Sequence, residues 1–170
     1  MNEKNIIRRK VLNRNCTKAK FSKQNINILN KIILNKNVCI YIPLSTEVSI
    51  LDSLKTYQKL YTTYVFEKNL KVCLYKDPLI KGNNGVYEPL QKIDVIDTDI
   101  FIIPGIAFTK SGIRLGRGGG YYDKLLSNYE KTLKIGICHD HQILDLLPKE
   151  DHDILMDYVF TDNNYYKTST

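Results

Sequence analysis

The sequence predicts an α/β layered domain with a mostly parallel sheet covered on both faces. Two observations carry this. Short apolar runs of strand character alternate with segments whose apolar residues recur at helical spacing, which implies βαβ units. A glycine-rich stretch also leaves one of those runs and feeds a helical segment. That places it at a strand's carboxyl end, where such sheets hold their ligands.

Along the chain, residues 3–14 carry Ile6, Ile7, Val11 and Leu12 at helical spacing, and residues 22–36 repeat the pattern with Ile26, Leu29, Ile32 and Ile33. Residues 38–42, 70–75, 100–103, 133–138 and 158–160 read as buried strands. Between the first two strands, Leu51, Leu54, Tyr57, Tyr61 and Tyr64 share one helical face. Ser49, with Asp52 three residues on, is the expected capping box of that helix. Another helix is predicted over 121–129. No repeat, Pro/Ser-rich linker or charge block divides the 170 residues, so a single domain over 1–170 is expected.

A hydrophobic share of 43% is enough to bury a full core and excludes wholesale disorder. No apolar run approaches the ~20 residues of a membrane helix, so no membrane association is expected. The 25 basic against 18 acidic residues give a net charge of +7, which suits nucleic acid, a small polyanion such as a nucleotide, or simply a Lys-rich solvated surface. Cys16, Cys39, Cys73 and Cys138 form no C-x-x-C pair, and three of them lie in apolar runs. They read as buried thiols of a reducing compartment rather than disulfides or a zinc site. The N-terminus is basic and lacks the apolar stretch of a secretory signal. A cytoplasmic protein is expected, with an organelle as the alternative.

Chemistry concentrates between Pro104 and Asp123, where most of the nine glycines lie. Gly116, Gly118, Gly119 and Gly120 permit positive φ and close approach of backbone N–H groups, and a glycine turn feeding a helix N-terminus cradles anions. Arg117 adds a two-pronged phosphate clamp. The stretch is neither a Walker A loop nor a dinucleotide fingerprint beside the first strand. The chain uses Lys for general charge; its five Arg (Arg8, Arg9, Arg14, Arg114 and Arg117) fall only in the first helix and this loop. Lys4 and Arg8, four apart on a helix, repel each other unless an anion binds between them. Asp123, in the first helical turn, suits either Mg²⁺ beside phosphates or the helix dipole, and Asp153 is a second hard-oxygen candidate within an acidic stretch. Glu47 follows the first strand. His139 and His141 have H-x-H spacing but sit in a polar turn, and no Ser or Cys lies in a nucleophile elbow.

These residues resemble the 5-formyltetrahydrofolate cyclo-ligase (5,10-methenyltetrahydrofolate synthetase) family, in order over nearly the whole chain. The matching pieces are Lys4-x-x-x-Arg8, the Tyr41 to Val48 stretch with Glu47, Gly85-Val-Tyr-Glu88-Pro89, the block from Pro104 to Asp123, and His152-Asp153 with Met156-Asp157. The resemblance implies a three-layer, Rossmann-like fold of the sugar-phosphate isomerase/CoA-transferase type. It implies an ATP- and Mg²⁺-dependent enzyme that cyclises 5-formyltetrahydrofolate to 5,10-methenyltetrahydrofolate, releasing ADP and phosphate. By the same resemblance Lys4, Asn5, Ile6, Ile7, Arg8, Arg117, Gly118, Gly119, Gly120, Tyr121 and Tyr122 bind ATP, with Arg117 and Tyr122 catalytic. Arg8, Ile42, Glu47 and Tyr122 contact the folate, and Asp123 and Asp153 hold Mg²⁺. The family is often monomeric, and a monomer acting on small molecules, without nucleic acid, is expected. The chain departs from the family pattern at Ile50 (usually Thr), at Tyr75 (usually Pro), and in a short 77–84 segment that helps wall the folate site in relatives. The alternatives are a nucleotide- or folate-binding relative without ring closure, and nucleic-acid binding through the positive charge.

Overall fold

The computed structural model describes residues 2–14, 20–82 and 85–168. Cys16 and residues 83–84 of the short segment lie outside them. Helices α1 (Glu3–Leu12) and α2 (Lys23–Ile32) precede strand β1 (Asn37–Ile40). Strands β2 (Lys59–Phe66) and β3 (Asn69–Leu74) follow, then the hairpin β4 (Leu79–Lys81) and β5 (Tyr87–Pro89). Strand β6 (Ile100–Pro104) leads into the small hairpin β7 (Ala107–Phe108) and β8 (Arg114–Leu115), then helix α3 (Tyr121–Leu126). Strands β9 (Leu133–Ile137), β10 (Tyr158–Phe160) and β11 (Tyr165–Lys167) complete the order.

Seven strands form one sheet in the order β11-β10-β9-β6-β1-β2-β3. The five inner strands are parallel, and the edges β3 and β11 are antiparallel. Strand alternation divides the core. Val38, Ile40, Ile100, Ile102, Ile135 and Ile137 face Leu29 and Ile33 at α2. Cys39, Phe101, Ile103 and Val159 face Leu125 and Leu126 of α3. Helix, sheet and helix therefore make three layers, the α/β class expected. The central strand β6 is buried on both sides and is accordingly apolar throughout. Cys39, Cys73 and Cys138 are free and buried. Among the described residues no helix is long and apolar enough to cross a membrane.

The helix expected over Leu51, Leu54, Tyr57, Tyr61 and Tyr64 does not form. Leu51–Ser53 is a single 3₁₀ turn whose N-cap, Ile50, makes no side-chain cap bond, so Ser49 is no capping box. Residues 59–66 become β2, paired in parallel with β1. The segment is rich in Tyr, Thr, Val and Phe, which fit a pleated half-buried surface better than a helix. In a strand, Tyr61 and Tyr64 point to opposite faces; their hydroxyls donate to Asp97 (2.8 Å) and Asp94 (2.7 Å). The helix expected over 121–129 stops at Leu126.

His139 and His141 serve structure. His139 Nδ1 lies 2.9 Å from Asp162 Oδ1, buried, and the two imidazoles stack 5.6 Å apart. The His139 amide donates to Gln142 Oε1 (2.7 Å), and Gln142 Nε2 donates to the carbonyls of Gly105 (3.1 Å) and Ile106 (2.9 Å). The network thereby braces the turn after β6.

Two outcomes test this packing. Gly112 has φ +88°, and a Cβ there would stand 2.4 Å from the Met156 carbonyl oxygen. Gly112→Ala is expected to lower the unfolding free energy by about 1–3 kcal/mol in urea titrations. Burial, then the charges of His139 and Arg14, hold the His141 pKa below 6.5. The unfolded chain therefore takes up the proton first, and stability declines as pH falls below 6.5. His141→Gln is expected to flatten the stability slope between pH 7 and 5, read from urea midpoints across that range.

Candidate active site

A cleft of about 750 Å³ opens at the carboxyl ends of β1 and β6, a usual size for a small-molecule site. The parallel topology makes this placement, because the chain leaves both strands at the same edge of the sheet. After β1, the segment from Tyr41 brings Ile42, Leu44 and Glu47 to the cleft. After β6 come Gly105, Arg114 and the turn 116–120. Thr63 and Val65 of β2 and Val86 to Glu88 at β5 form the far wall.

Helix α1 closes one end. Its N-cap Asn2 accepts from the Lys4 amide (2.9 Å), which starts the helix immediately before the cationic pair. Lys4 Nζ then donates to Asp153 Oδ2 (2.7 Å) and stands 3.3 Å from Glu150. Arg8 Nε donates to the Gly116 carbonyl (2.8 Å), and its Nη1 donates to Asn5 Oδ1 (2.6 Å). Lys4 is thus paired with carboxylates, while Arg8 is held by neutral acceptors and keeps its charge. The helical period turns residues 4, 5 and 8 to the cleft and residues 7 and 11 to the core. Ile7 packs with Val11, Ile106, Ala107 and Leu115, and Ile6 is not part of the cleft lining. Ile6 and Ile7, expected among the ATP-binding residues, are thus the two that the structure does not bring to the cleft lining.

The glycine turn has the backbone expected of it at two positions: Gly118 (φ +100°) and Gly120 (φ +64°), the latter capping α3. The Arg8 guanidinium lies against Gly118, at the distance of ordinary contact for a Cβ there, so it is the positive φ that favours glycine at this position. Arg117 reaches back across the cleft, with Nε donating to Glu47 Oε1 (3.2 Å) and Nη2 to Thr46 Oγ1 (2.7 Å). Glu47 also accepts from the Leu44 amide (3.0 Å). Asp123, in the first turn of α3, accepts from Arg114 Nη2 on both oxygens at 3.0 Å.

Lys4, Asn5, Arg8, Ile42, Glu47, Arg117, Gly118, Gly119, Gly120, Tyr121, Tyr122, Asp123 and Asp153 all line this one cleft, though they are spread from residue 4 to residue 153. Sequence reasoning gave no role to Arg114, which is buried beneath the turn with its guanidinium 5.5 Å from the Tyr122 ring centre. Its rarity beside the many Lys was the available signal. Thr63, Val65 and Leu70 had none, since only the strand pairing brings them here, whereas Tyr87 lies in the Gly85 to Pro89 stretch that the resemblance includes.

The electrostatics favour fixed charges and a neutral phenol. Burial works to raise the Asp153 carboxyl, but the Lys4 hydrogen bond and the Glu150 amide outweigh it and hold the group below the usual carboxylate range. Burial also works to lower Lys4, and Asp153 and Glu150 outweigh it in the upward direction. Burial pushes the Tyr122 hydroxyl far up, against the opposing pull of Thr63 and Arg114, so at neutral pH it is a hydrogen-bond donor and not a base. Among the described residues, the group of three side chains suited to a metal is Glu150, His152 and Asp153, with ligand atoms all within 4.8 Å of one another.

The 5-formyltetrahydrofolate cyclo-ligase family profile matches residues 2–162. The Mycolicibacterium smegmatis 5-formyltetrahydrofolate cyclo-ligase is 30% identical over 145 residues, covering 76% of this chain and 75% of that protein. The Escherichia coli protein of the same name is 37% identical over 97 residues, so the chain spans about half (52%) of that relative's length. The solved structure of Aquifex aeolicus 5,10-methenyltetrahydrofolate synthetase superposes with a TM-score of 0.80 at 31% identity, covering 96% of this chain and 92% of that one. With the whole fold shared and the profile running through every segment that lines the cleft, the chain belongs to the 5-formyltetrahydrofolate cyclo-ligase family.

Proposed function

We propose that the protein, acting as one domain over 1–170, converts 5-formyltetrahydrofolate to 5,10-methenyltetrahydrofolate, with ATP leaving as ADP and phosphate. The observation that carries this reading is the convergence of a phosphate-type end and a carboxylate-bearing end in one cleft. Lys4, Arg8, Arg117 and the amides of 118–120 supply the first, and Glu47 the second. The formyl oxygen attacks the γ-phosphorus and ADP departs, leaving an iminium phosphate. N10 then adds to that carbon, loses its proton, and the C–O bond breaks to release phosphate. No protein nucleophile is required, so catalysis is positioning and charge neutralisation.

Each residue has a task in that scheme. Lys4 and Arg8 neutralise the polyphosphate, with the turn amides donating to its oxygens. Arg117, one bond from Glu47, meets the transferring phosphoryl group where the two ligands touch. The neutral Tyr122 hydroxyl donates to an oxygen that gains charge. Glu47 and Ile42 hold the folate, the carboxylate accepting from ring N–H groups. The hairpin β4–β5 brings Val86, Tyr87 and Glu88 to the wall despite the short 77–84 segment, which favours turnover over binding alone.

Asp123 and Asp153, both at the cleft, would hold Mg²⁺. Asp123 and Asp153 offer hard carboxylate oxygens, and Asp153 is held in its ionised form. When bound, the ion supplies charge neutralisation to the phosphates. Two finer readings accompany the activity. The protein is read as a monomer, and a cytoplasmic location is supported by three buried free thiols.

The test mixes protein, 5-formyltetrahydrofolate, Mg²⁺ and ATP, and follows the near-ultraviolet band of the methenyl product. The band is expected to grow only with ATP. Arg117→Ala is expected to lower kcat on the order of 10²–10³-fold and Tyr122→Phe roughly tenfold or more, with unchanged circular dichroism. Binding of both ligands by calorimetry without any band would make the protein a binder and overturn the catalytic reading.

A further inference from the structure

The carboxylates of the cleft are matched to cations, while Arg8 is held by neutral acceptors. Asp123 has Arg114, Asp153 has Lys4, Glu150 shares Lys4, and Glu47 has Arg117. Two of these pairs lie deep. The side chains of Lys4 and Asp153 are 10% and 11% exposed, and those of Arg114 and Asp123 are 5% and 18% exposed. Arg114 is also fixed in place. A Cβ on Gly116 would stand 2.7 Å from its Nη1, and one on Gly105 would stand 3.3 Å from its Cγ, so two glycines make the room it fills. Its donors are only partly used. Nε has no hydrogen-bond partner among the described residues, and Nη1 reaches the Pro104 carbonyl at 3.5 Å. A housed cation with donors to spare thus sits against one proposed metal ligand, and an ammonium sits against the other.

This pairing constrains what can enter. A divalent cation arriving alone at Asp123 or Asp153 meets a built-in positive charge at about 3 Å from the same oxygens. A polyphosphate arriving alone at Lys4 and Arg114 meets the carboxylates. A metal–triphosphate complex replaces each broken pair in both directions, phosphate for the cations and metal for the carboxylates. We propose that Arg114 and Lys4 are positioning residues that act as built-in counter-ions of Asp123 and Asp153, so that divalent metal and nucleotide enter the cleft with strong positive coupling. The proposal rests on the reading of Asp123 and Asp153 as metal ligands.

The probe is Mn²⁺, its free concentration followed by electron paramagnetic resonance, with a non-hydrolysable ATP analogue. In the intact protein, affinity for Mn²⁺ without nucleotide is expected to be at least about tenfold weaker than with the analogue saturating, after correction for the complex formed in solution. Arg114→Met is expected to bind Mn²⁺ alone about tenfold tighter than the intact protein, with a smaller effect of the analogue. Arg114→Lys keeps the charge and should return Mn²⁺ affinity to the intact level. An arginine that only supports the fold predicts an unchanged ratio between the Mn²⁺ affinities with and without the analogue. Should Arg114→Met fail to fold, Lys4→Met makes the same test at Asp153. Equal Mn²⁺ affinity with and without the analogue, or no gain in either variant, would overturn the proposal while leaving the ligands in place. Mn²⁺ binding indifferent to Asp123→Asn and Asp153→Asn would instead remove the ligand reading, and the proposal with it.

Discussion

The contact between Lys4 and Asp153 spans 149 positions of sequence and decides where the first helix lies. Helix α1 offers the core little, since Val11 and, in part, Ile7 are its apolar anchors. What fixes its N-terminal turn over the cleft is polar: Lys4 on Asp153, and Arg8 on the Gly116 carbonyl and against Gly118. Without those contacts the cleft would be open at the end where phosphates are expected, and the glycine turn would lack the cation that lies across it.

The opposite constraint comes from the sheet. Because β1 and β6 are parallel neighbours, Tyr41 and the segment after it leave on the same side as Gly105. The two loops therefore face each other across the cleft, close enough for Arg117 to reach Glu47 and Thr46. The central strand β6 can be wholly apolar because both its faces are covered, and its last residues turn out at the cleft. Gln142, held through His139 and Asp162, grips the carbonyls of that turn. The rigid scaffold thus ends one hydrogen bond away from the residues that meet a ligand.

Much of this was legible in the sequence, for identifiable reasons. The runs at 100–103 and 133–138 are continuous and apolar, which is what a doubly covered parallel strand requires. The glycine turn announced itself through residue types that have few other uses in that combination. The segment at 51–64 was misread because Leu51, Leu54, Tyr57, Tyr61 and Tyr64 happen to recur at intervals of three and four, while its β-branched and aromatic composition pointed the other way. Composition prevailed, since β1 offered a strand edge to pair with. The partners of the site residues were not legible at all. Nothing near Asp123 in sequence says that Arg114 takes both of its oxygens, and nothing near Lys4 points to Asp153.

Buried ion pairs are a poor means of stabilising a fold. Taking both charges out of water costs several kcal/mol, and apolar replacements of similar shape are often as stable or more so. The cleft nevertheless holds two such pairs, with a third, Arg117–Glu47, nearer the solvent. A requirement for charges that can change partners accounts for this where stability does not. A cation fixed against a carboxylate is already desolvated and already aimed, so a phosphate that replaces the carboxylate gains the attraction without the full cost of ordering the side chain. The same logic explains the neutral Tyr122 among these charges. Burial keeps its proton on, and Arg114 beside its ring polarises the phenol without ionising it. The cleft thus presents fixed positive charge, fixed negative charge and one neutral donor. Those are the three things a phosphoryl transfer between two bound small molecules requires of a protein that contributes no nucleophile of its own.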